Sequence, residues 1–438
     1  MHTQHLSRRT RFKLHWQILI ALVLAVTVGL LVGREAGFFG ASLYSSLDFL
    51  GQLFLNALKM LIVPLILSSM IVGISGIGGA SDLKRLGAKT IGYYATTTLL
   101  AVLVGLFLVN LIQPGVVDGD PKAVFGFSAD ATALQEQLSG RDGSDVVDVF
   151  LRMIPANVVS AAANGEMLGL IFFGLLYGFF LTRVAPVYAE AQYNFWQGMF
   201  EIMMKITDLV MRFAPIGVFA LVARTVADTG LAALGPLALF FLTVAMGLAI
   251  HTFLVLPLLL RFIGGVSPIR HFQAMSAALL TAFSTASSSA TVPVTMECLE
   301  KNAGVSNKVT SFVIPLGATI NMDGTALYEC VVVMFIAQAY GIELSFASQF
   351  VIVILALMTS IGVAGIPAAS LVAITVILAA VGLPLEGIGL ILAVDRILDM
   401  MRTAVNVFSD SCGAVIIARR EGETGVLQGE TFKPKSGG

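Results

Sequence analysis

Between Leu385 and Ile417 the chain is mostly Leu, Ile, Val, Ala and Gly, yet Asp395, Arg396, Asp399, Arg402, Asn406 and Asp410 lie inside it. A charge at a bilayer centre costs about 2.5–3.5 kcal/mol on insertion scales, while one Leu or Ile returns only about 0.3–0.6 kcal/mol. Ionisable groups in such a span therefore face protein or a ligand and avoid lipid. Steps of 4, 3, 4 and 4 residues join Asp395, Asp399, Arg402, Asn406 and Asp410. At about 100° per residue these steps return to one narrow helix face. Its carboxylates suit a cation or an ammonium group, and its guanidinium can fork onto a carboxylate. An Asp399–Arg402 pair that only ties helices together is the competing reading. Asn406 and Asp410 on the same face weigh against it.

A second polar group interrupts the apolar stretch 307–338, reading Asn321-Met322-Asp323-Gly324-Thr325. Gly324 and the preceding Pro315 weaken the helix and free carbonyls. An acid, an amide and bare carbonyls form a hard-oxygen site suited to a small cation. A kink satisfied by neighbouring helices is the plainer reading, but Asp323 must still be neutralised. Thr96, Thr97 and Thr98, beside Tyr94, can complete an ion site; taken alone they read as interhelical hydrogen bonding. His251, in an apolar stretch, reads as a hydrogen-bonded packing residue. Glu329 lies four residues after Thr325, one helical turn along the same face. A carboxyl that changes between neutral and ionised forms during transport can carry a proton; the alternative is a protonated acid that only packs. The serines at 287–289 lack a G-x-S-x-G context, and His2 and His5 show no metal-ligand pattern.

These residues need apolar elements to hold them. Of 438 residues 57% are apolar and only 12% charged, about half the charge of a soluble protein. This is an all-α polytopic membrane protein whose spans pack as one body. A net charge of -1 leaves no nucleic-acid footprint. Cys298, Cys330 and Cys412 read as reduced small hydrophobes. Apolar spans fall near 16–33, 47–76, 88–113, 165–184, 195–223, 233–262, 307–338 and 385–417. Two more segments, 270–296 and 347–380, are interrupted by hydroxyls, Gly and Pro in Ser284–Pro293 and Thr359–Ser370. Such tips fit helical hairpins that dip into the membrane against protein. Each hairpin precedes a span with a polar centre, which reads as an inverted repeat with its sites at the interface.

Arg8 to Lys13, Lys84, Arg85, Lys89, Arg183, Arg261, Arg270, Arg419 and Arg420 mark one side, and the acidic loop 114–148 marks the other. The basic side is cytoplasmic. Eight transmembrane helices then leave both termini in the cytoplasm of a cell (inner or plasma) membrane. The first apolar run exceeds a signal-peptide core and reads as an uncleaved span. The tail after Arg420 is polar and Gly-rich and reads as disordered.

Ser287–Pro293, Asn321–Thr325, Gly362–Pro367, and Asp399–Asn406 with Asp410 resemble the dicarboxylate/amino acid:cation symporter family, the glutamate and aspartate transporters. The resemblance runs from about residue 13 to 420. It implies no enzyme and no cofactor beyond coupling ions, but a homotrimer of elevator-type transporters. After a cytoplasmic segment 1–15, spans one and two (16–86) and four and five (149–232) would form a scaffold. Span three (87–113) and a core of span six, hairpin one, span seven, hairpin two and span eight (233–420) would form the moving transport domain. The loop 114–148 would be external and 421–438 a disordered tail.

By the same resemblance Ser287, Ser288 and Asn406 would meet the substrate α-carboxylate, and Asp399 the amino group. Arg402 and Thr325 would hold the side-chain carboxylate, with Thr403 beside them, and backbone near Ile366 would close over the substrate. One sodium site would use Gly317, Asn321, Asn406 and Asp410. A second would use Thr319, Met322, Ser360, Ile361 and Val363. A third would use Tyr94, Thr97, Thr98, Asn321 and Asp323. Glu329 matches a proton-coupling position. An additional Arg common in relatives is absent here, its two positions being Ala286 and Met400. The implied activity is uptake of aspartate or glutamate coupled to sodium, with a proton as a further candidate. A C4-dicarboxylate carrier would not need Asp399, a neutral amino acid carrier would not keep Arg402, and a proton-only symporter would lose Asp410.

Overall fold

The computed structural model describes residues 14–32, 37–38, 41–75, 81–117, 124–125, 151, 154–164, 167–229, 232, 234–362 and 369–427. Among them the only strands are Gly37–Phe38 and Ala41–Ser42, paired antiparallel; all else regular is helix. In chain order the helices are α1 (Leu14–Val32), α2 (Leu43–Ser75), α3 (Ser81–Ile112), α4 (Val158–Asn164), α5 (Met167–Leu181), α6 (Pro186–Arg212) and α7 (Ala214–Thr229). α8 runs Leu234–Phe262 with a π-helical turn at His251–Val255. Then come α9 (Pro268–Thr285), α10 (Ser288–Glu297), α11 (Asn307–Ile320), α12 (Asp323–Ala339), α13 (Phe346–Gly362), α14 (Ala369–Val381) and α15 (Ile388–Arg420). Arg85–Ile112, Leu234–Phe262 and Asn307–Ala339 are long and apolar enough to cross a bilayer. Leu103, Phe107, Leu111, Phe253 and Leu258 on the first two stand exposed, as lipid-facing side chains would.

Two groups of helices share one apolar core. α1 lies along α7, and α2 lies against α5, α6 and α7. In the second group α12 is the centre, buried at every position but Gln338. From Cys330 to Ala337 its sequence is apolar all round, so it can be surrounded on all sides. α3, α8, α13 and α15 enclose it, and α15 also packs on α9 and α11. The groups meet where α7 touches α15 and where α13 and α14 touch α2.

The chain breaks where the sequence weakens it. Between α11 and α12, Asn321 (φ -97°, ψ 93°) and Met322 (φ -119°, ψ 53°) leave helical geometry. Between α9 and α10, Ala286 adopts the left-handed region (φ 50°) and Ser287 caps α10, its Oγ accepting from Ala290 N at 3.2 Å. The expected tip of the α13–α14 pair lies largely at 363–368, outside the described residues.

Two expectations differ from the structure. The single span expected at 195–223 is two helices, because Pro215 enters the first turn of α7 and the chain turns at Phe213. The tail expected to be disordered at 421–438 is ordered over 421–427. Val426 and Leu427 are buried, and Leu427 N donates to Ala303 O at 2.8 Å. Arg270 donates to Leu427 O at 3.2 Å, and Ser306 N donates to Glu423 at 3.0 Å. Two apolar anchors outweigh a polar composition. Residues 428–438 lie outside the described part.

Candidate functional site

α15 is one uninterrupted helix of 33 residues, so the 4-3-4-4 spacing becomes a single face turned to α11 and α12. Asp395, Asp399, Arg402, Thr403, Asn406 and Asp410 are all buried. The face divides into two clusters about 16 Å apart along the helix, from Asp399 to Asp410 at 1.5 Å per residue.

The first cluster surrounds Arg402, which is only 1% exposed. Its Nη2 donates to Asp395 Oδ1 at 3.0 Å and Asp399 Oδ1 at 3.1 Å. Its Nη1 donates to Ser370 Oγ at 2.8 Å. The guanidinium carbon stands 3.8 Å from the Tyr328 ring centroid, and Tyr328 OH donates to Asp395 Oδ1 at 2.8 Å. Arg396 Nη1 donates to Asp399 Oδ2 at 3.2 Å. Two carboxylates thus meet two guanidiniums, so the cluster is balanced in charge. Thr403 Oγ1 bonds Asp399 O at 2.8 Å.

Asn406 links this cluster to the break in the neighbouring helix. Its Nδ2 donates to Thr325 Oγ1 at 3.1 Å, and its Oδ1 accepts from Gly324 N at 2.8 Å. A Cβ at Gly324 would come within 2.9 Å of Arg402 O, so glycine permits this close approach.

The second cluster surrounds Asp323. Oδ1 accepts from Thr98 at 2.7 Å and Thr97 at 3.3 Å. Oδ2 accepts from Ser409 Oγ at 2.6 Å and lies 2.9 Å from His251 Nε2. Asn321 Nδ2 donates to Asp410 Oδ1 at 2.8 Å and Ser409 Oγ at 3.0 Å. Thr97 Oγ1 reaches Asn321 Oδ1 at 3.4 Å. Tyr94 OH donates to Val313 O at 2.7 Å. A Cβ at Gly317 would collide with the Asp410 carboxylate and the Tyr94 hydroxyl, so backbone and acid crowd together only because residue 317 is glycine. Among the described residues neither Asp323 nor Asp410 is paired with a Lys or Arg. Carboxylates, amides and hydroxyls without a fixed organic cation fit a hard monovalent ion. No three His, Cys, Asp or Glu side chains among the described residues form a transition-metal cluster.

The remaining expected residues are less gathered. Ser287 and Ser288 sit at the α9–α10 break, with Ser288 buried. Of the second expected sodium set, Met322 Sδ lies 3.7 Å from Asn406 Nδ2, Thr319 Oγ1 bonds Leu316 O at 2.9 Å, and Ser360 Oγ bonds Leu357 O at 2.9 Å. Ile361 is the penultimate residue of α13; Val363 and Ile366 lie outside the described residues. Glu329 Oε2 accepts from Thr359 Oγ1 at 2.8 Å, while Oε1 has no hydrogen-bond partner among the described residues. A cavity of about 430 Å³ lies apart, lined by Asn110, Gln113, Gln338 and Gln349. Its amides are engaged locally, Asn110 with Gln349 at 2.9 Å and Gln338 with Val109 O at 3.1 Å.

Sequence reasoning missed Arg396, Tyr328, Ser370 and Ser409 as members of the clusters, and it read His251 as packing. Ser409 adjoins Asp410 and Arg396 adjoins Asp395, so adjacency to the charged face was the available signal. Tyr328 and Ser370 are placed by tertiary packing and left no local signal.

The profile of the sodium:dicarboxylate symporter family matches residues 14–420. A proton/glutamate-aspartate symporter of Escherichia coli (strain K12) is 37% identical over 415 residues, 94% of each chain. A proton/sodium-glutamate symport protein of Geobacillus stearothermophilus is 35% identical over 423 residues, 96% of this chain and 97% of that one. The excitatory amino acid transporter 3 of Mus musculus is 35% identical over 459 residues, 92% of this chain and 85% of that one. The motif-bearing breaks, the charged face of α15 and these matches agree, and the chain belongs to the sodium:dicarboxylate symporter family, a family of transporters.

Proposed function

We propose that this protein is a secondary active symporter of acidic amino acids, aspartate or glutamate, coupled to sodium. The observation that carries the reading is the division of one buried helix face into a charge-balanced cluster and a cation-seeking one. The named relatives transport glutamate or aspartate with protons or with sodium, which supports the substrate class and the coupling ion.

The balanced cluster takes the amino acid by exchange of partners. Arg402, held in place by Asp395, Ser370 and the Tyr328 ring, meets the substrate side-chain carboxylate. Asp399 accepts the substrate ammonium. Asn406 and Thr325 supply polar contacts, and Ser287, Ser288 and the backbone near Ile366 complete the site. Sodium binds beside Asp410 with Gly317, Asn321 and Asn406, and beside Asp323 with Tyr94, Thr97, Thr98 and Asn321. A third ion uses Thr319, Met322, Ser360, Ile361 and Val363. Because Asn321 bonds Asp410 and Asn406 bonds Thr325, ordering the ion sites also orders the substrate contacts. Glu329 is the candidate proton carrier.

The packing supports the larger architecture in the same way. α1, α2 and α5–α7 serve as the scaffold, and α3 with α8–α15 as a transport domain that slides as an elevator. The α9–α10 and α13–α14 pairs act as re-entrant hairpins among eight transmembrane helices, in a homotrimer with both termini cytoplasmic. The test is uptake of labelled aspartate into proteoliposomes with sodium, proton and potassium gradients imposed separately. Saturable accumulation driven by sodium is expected; flux that ignores every imposed gradient contradicts symport.

A further inference from the structure

We propose that Arg396 is a specificity-determining residue: it competes with a substrate ammonium group for Asp399, and so lets the site also accept four-carbon dicarboxylates that lack an amine. The proposal deepens, and rests on, the acidic amino acid reading.

Both oxygens of Asp399 accept from guanidinium groups. Arg402 Nη2 holds Oδ1 at 3.1 Å and Arg396 Nη1 holds Oδ2 at 3.2 Å. An incoming ammonium competes with both guanidiniums for these two oxygens. The two arginines are not equally held. Arg402 is fixed by Asp395, Ser370 and the face of Tyr328. Arg396 is 9% exposed, and its one hydrogen-bonded side-chain partner among the described residues is Asp399. Its Nε is buried without a hydrogen-bond partner among the described residues. Arg396 is therefore the group that gives way to an ammonium.

A substrate without an amine asks for no such exchange. With succinate in the site, Arg396 stays on Asp399 and neutralises it. Asp399 then does not repel the ligand, and Arg402 remains available to a carboxylate. Removing the Arg396 charge should act oppositely on the two ligands. It frees Asp399 for the ammonium of aspartate and leaves an under-compensated acid beside succinate. A guanidinium that merely braced the helix would change both affinities together.

The experiment is calorimetric titration of purified protein in sodium buffer with L-aspartate and, separately, succinate. Wild type is compared with Arg396→Met and Arg396→Lys. One charge-assisted hydrogen bond corresponds to a rise of about tenfold in the succinate/aspartate Kd ratio for Arg396→Met. Arg396→Lys keeps the charge and should stay within about threefold of wild type. A ratio unchanged in Arg396→Met overturns the proposal, as does a parallel weakening of both ligands. If Arg396→Met does not fold, Arg396→Gln is measured; failure of both to fold assigns Arg396 to structure and also overturns it. Wild type that binds aspartate but never succinate rejects the proposal while the acidic amino acid reading stands. Wild type that binds neither rejects that reading, and the Arg396 proposal falls with it.

Discussion

The two clusters on α15 are built from similar acids and differ in what neutralises them. Asp395 and Asp399 meet Arg396 and Arg402 inside the protein. Asp323 and Asp410 meet hydroxyls, an amide and one imidazole. Buried charge is costly unless paired, and breaking such a pair costs about 3–5 kcal/mol. The first cluster is therefore stable by itself and gives up a pair only to a ligand with matching charges. The second holds its acids with neutral donors and one imidazole, and in the proposed reading a mobile cation completes it. In that reading, one helix holds a substrate site that works by exchange and an ion site that works by completion. Asn406 lies between them, bonded to Gly324 and Thr325 of α12.

The largest effect should come from breaking the balanced cluster. Arg402→Cys leaves Asp395 and Asp399 short of one partner, and aspartate affinity should fall by at least about a hundredfold. Uptake of a small neutral amino acid is the expected gain. Unchanged aspartate Kd would mean that Arg402 only ties helices together. Next comes the cation-seeking cluster. Asp323→Asn keeps the size and removes the charge, so the sodium concentration for half-maximal aspartate binding should rise about tenfold, with the fold retained. If aspartate binding weakens equally at all sodium concentrations, the two clusters do not differ as described.

Glu329 belongs to neither cluster. Its one described bond is to Thr359 at 2.8 Å, and an amide can still accept it. Glu329→Gln should leave aspartate exchange intact and make net uptake indifferent to an imposed pH gradient, measured in proteoliposomes at saturating sodium. Wild-type uptake that already ignores the gradient would leave Glu329 a structural acid.

The smallest effect lies outside the membrane region. The Lys89 ammonium, with Arg85, holds the Glu421 carboxyl below its usual range. A depressed carboxyl adds stability above its unfolded pKa, and that stability is lost as pH falls through the folded value. Glu421→Gln should lower the melting temperature slightly at neutral pH, reflecting a loss of under about 1 kcal/mol of stability, since surface pairs contribute little. The variant and wild type should converge in acid. An equal difference at both pH values would show that charge is not the cause.

Much of this was legible in the sequence for a simple reason. The face of α15 is periodic within one helix, and charge in an apolar run has few explanations. The break at Asn321–Met322 was legible because Pro315 and Gly324 weaken a helix locally. Partners contributed from elsewhere were not. Tyr328 reaches Asp395 across 67 positions, and His251 reaches Asp323 across 72. Arg396 lies one residue off the periodic face, so spacing left it out although geometry brings it to Asp399. The turn at Phe213 hid within continuous hydropathy, and the ordering of 421–427 depends on two apolar residues in a polar stretch.

The central claim is that one cluster must be completed by sodium before the other holds substrate well. The direct measurement is the Kd of L-aspartate for purified wild-type protein in sodium buffer and in choline buffer of equal ionic strength. The account predicts a loss of at least about a hundredfold without sodium, or about 2.8 kcal/mol. Equal affinity in the two buffers would contradict it.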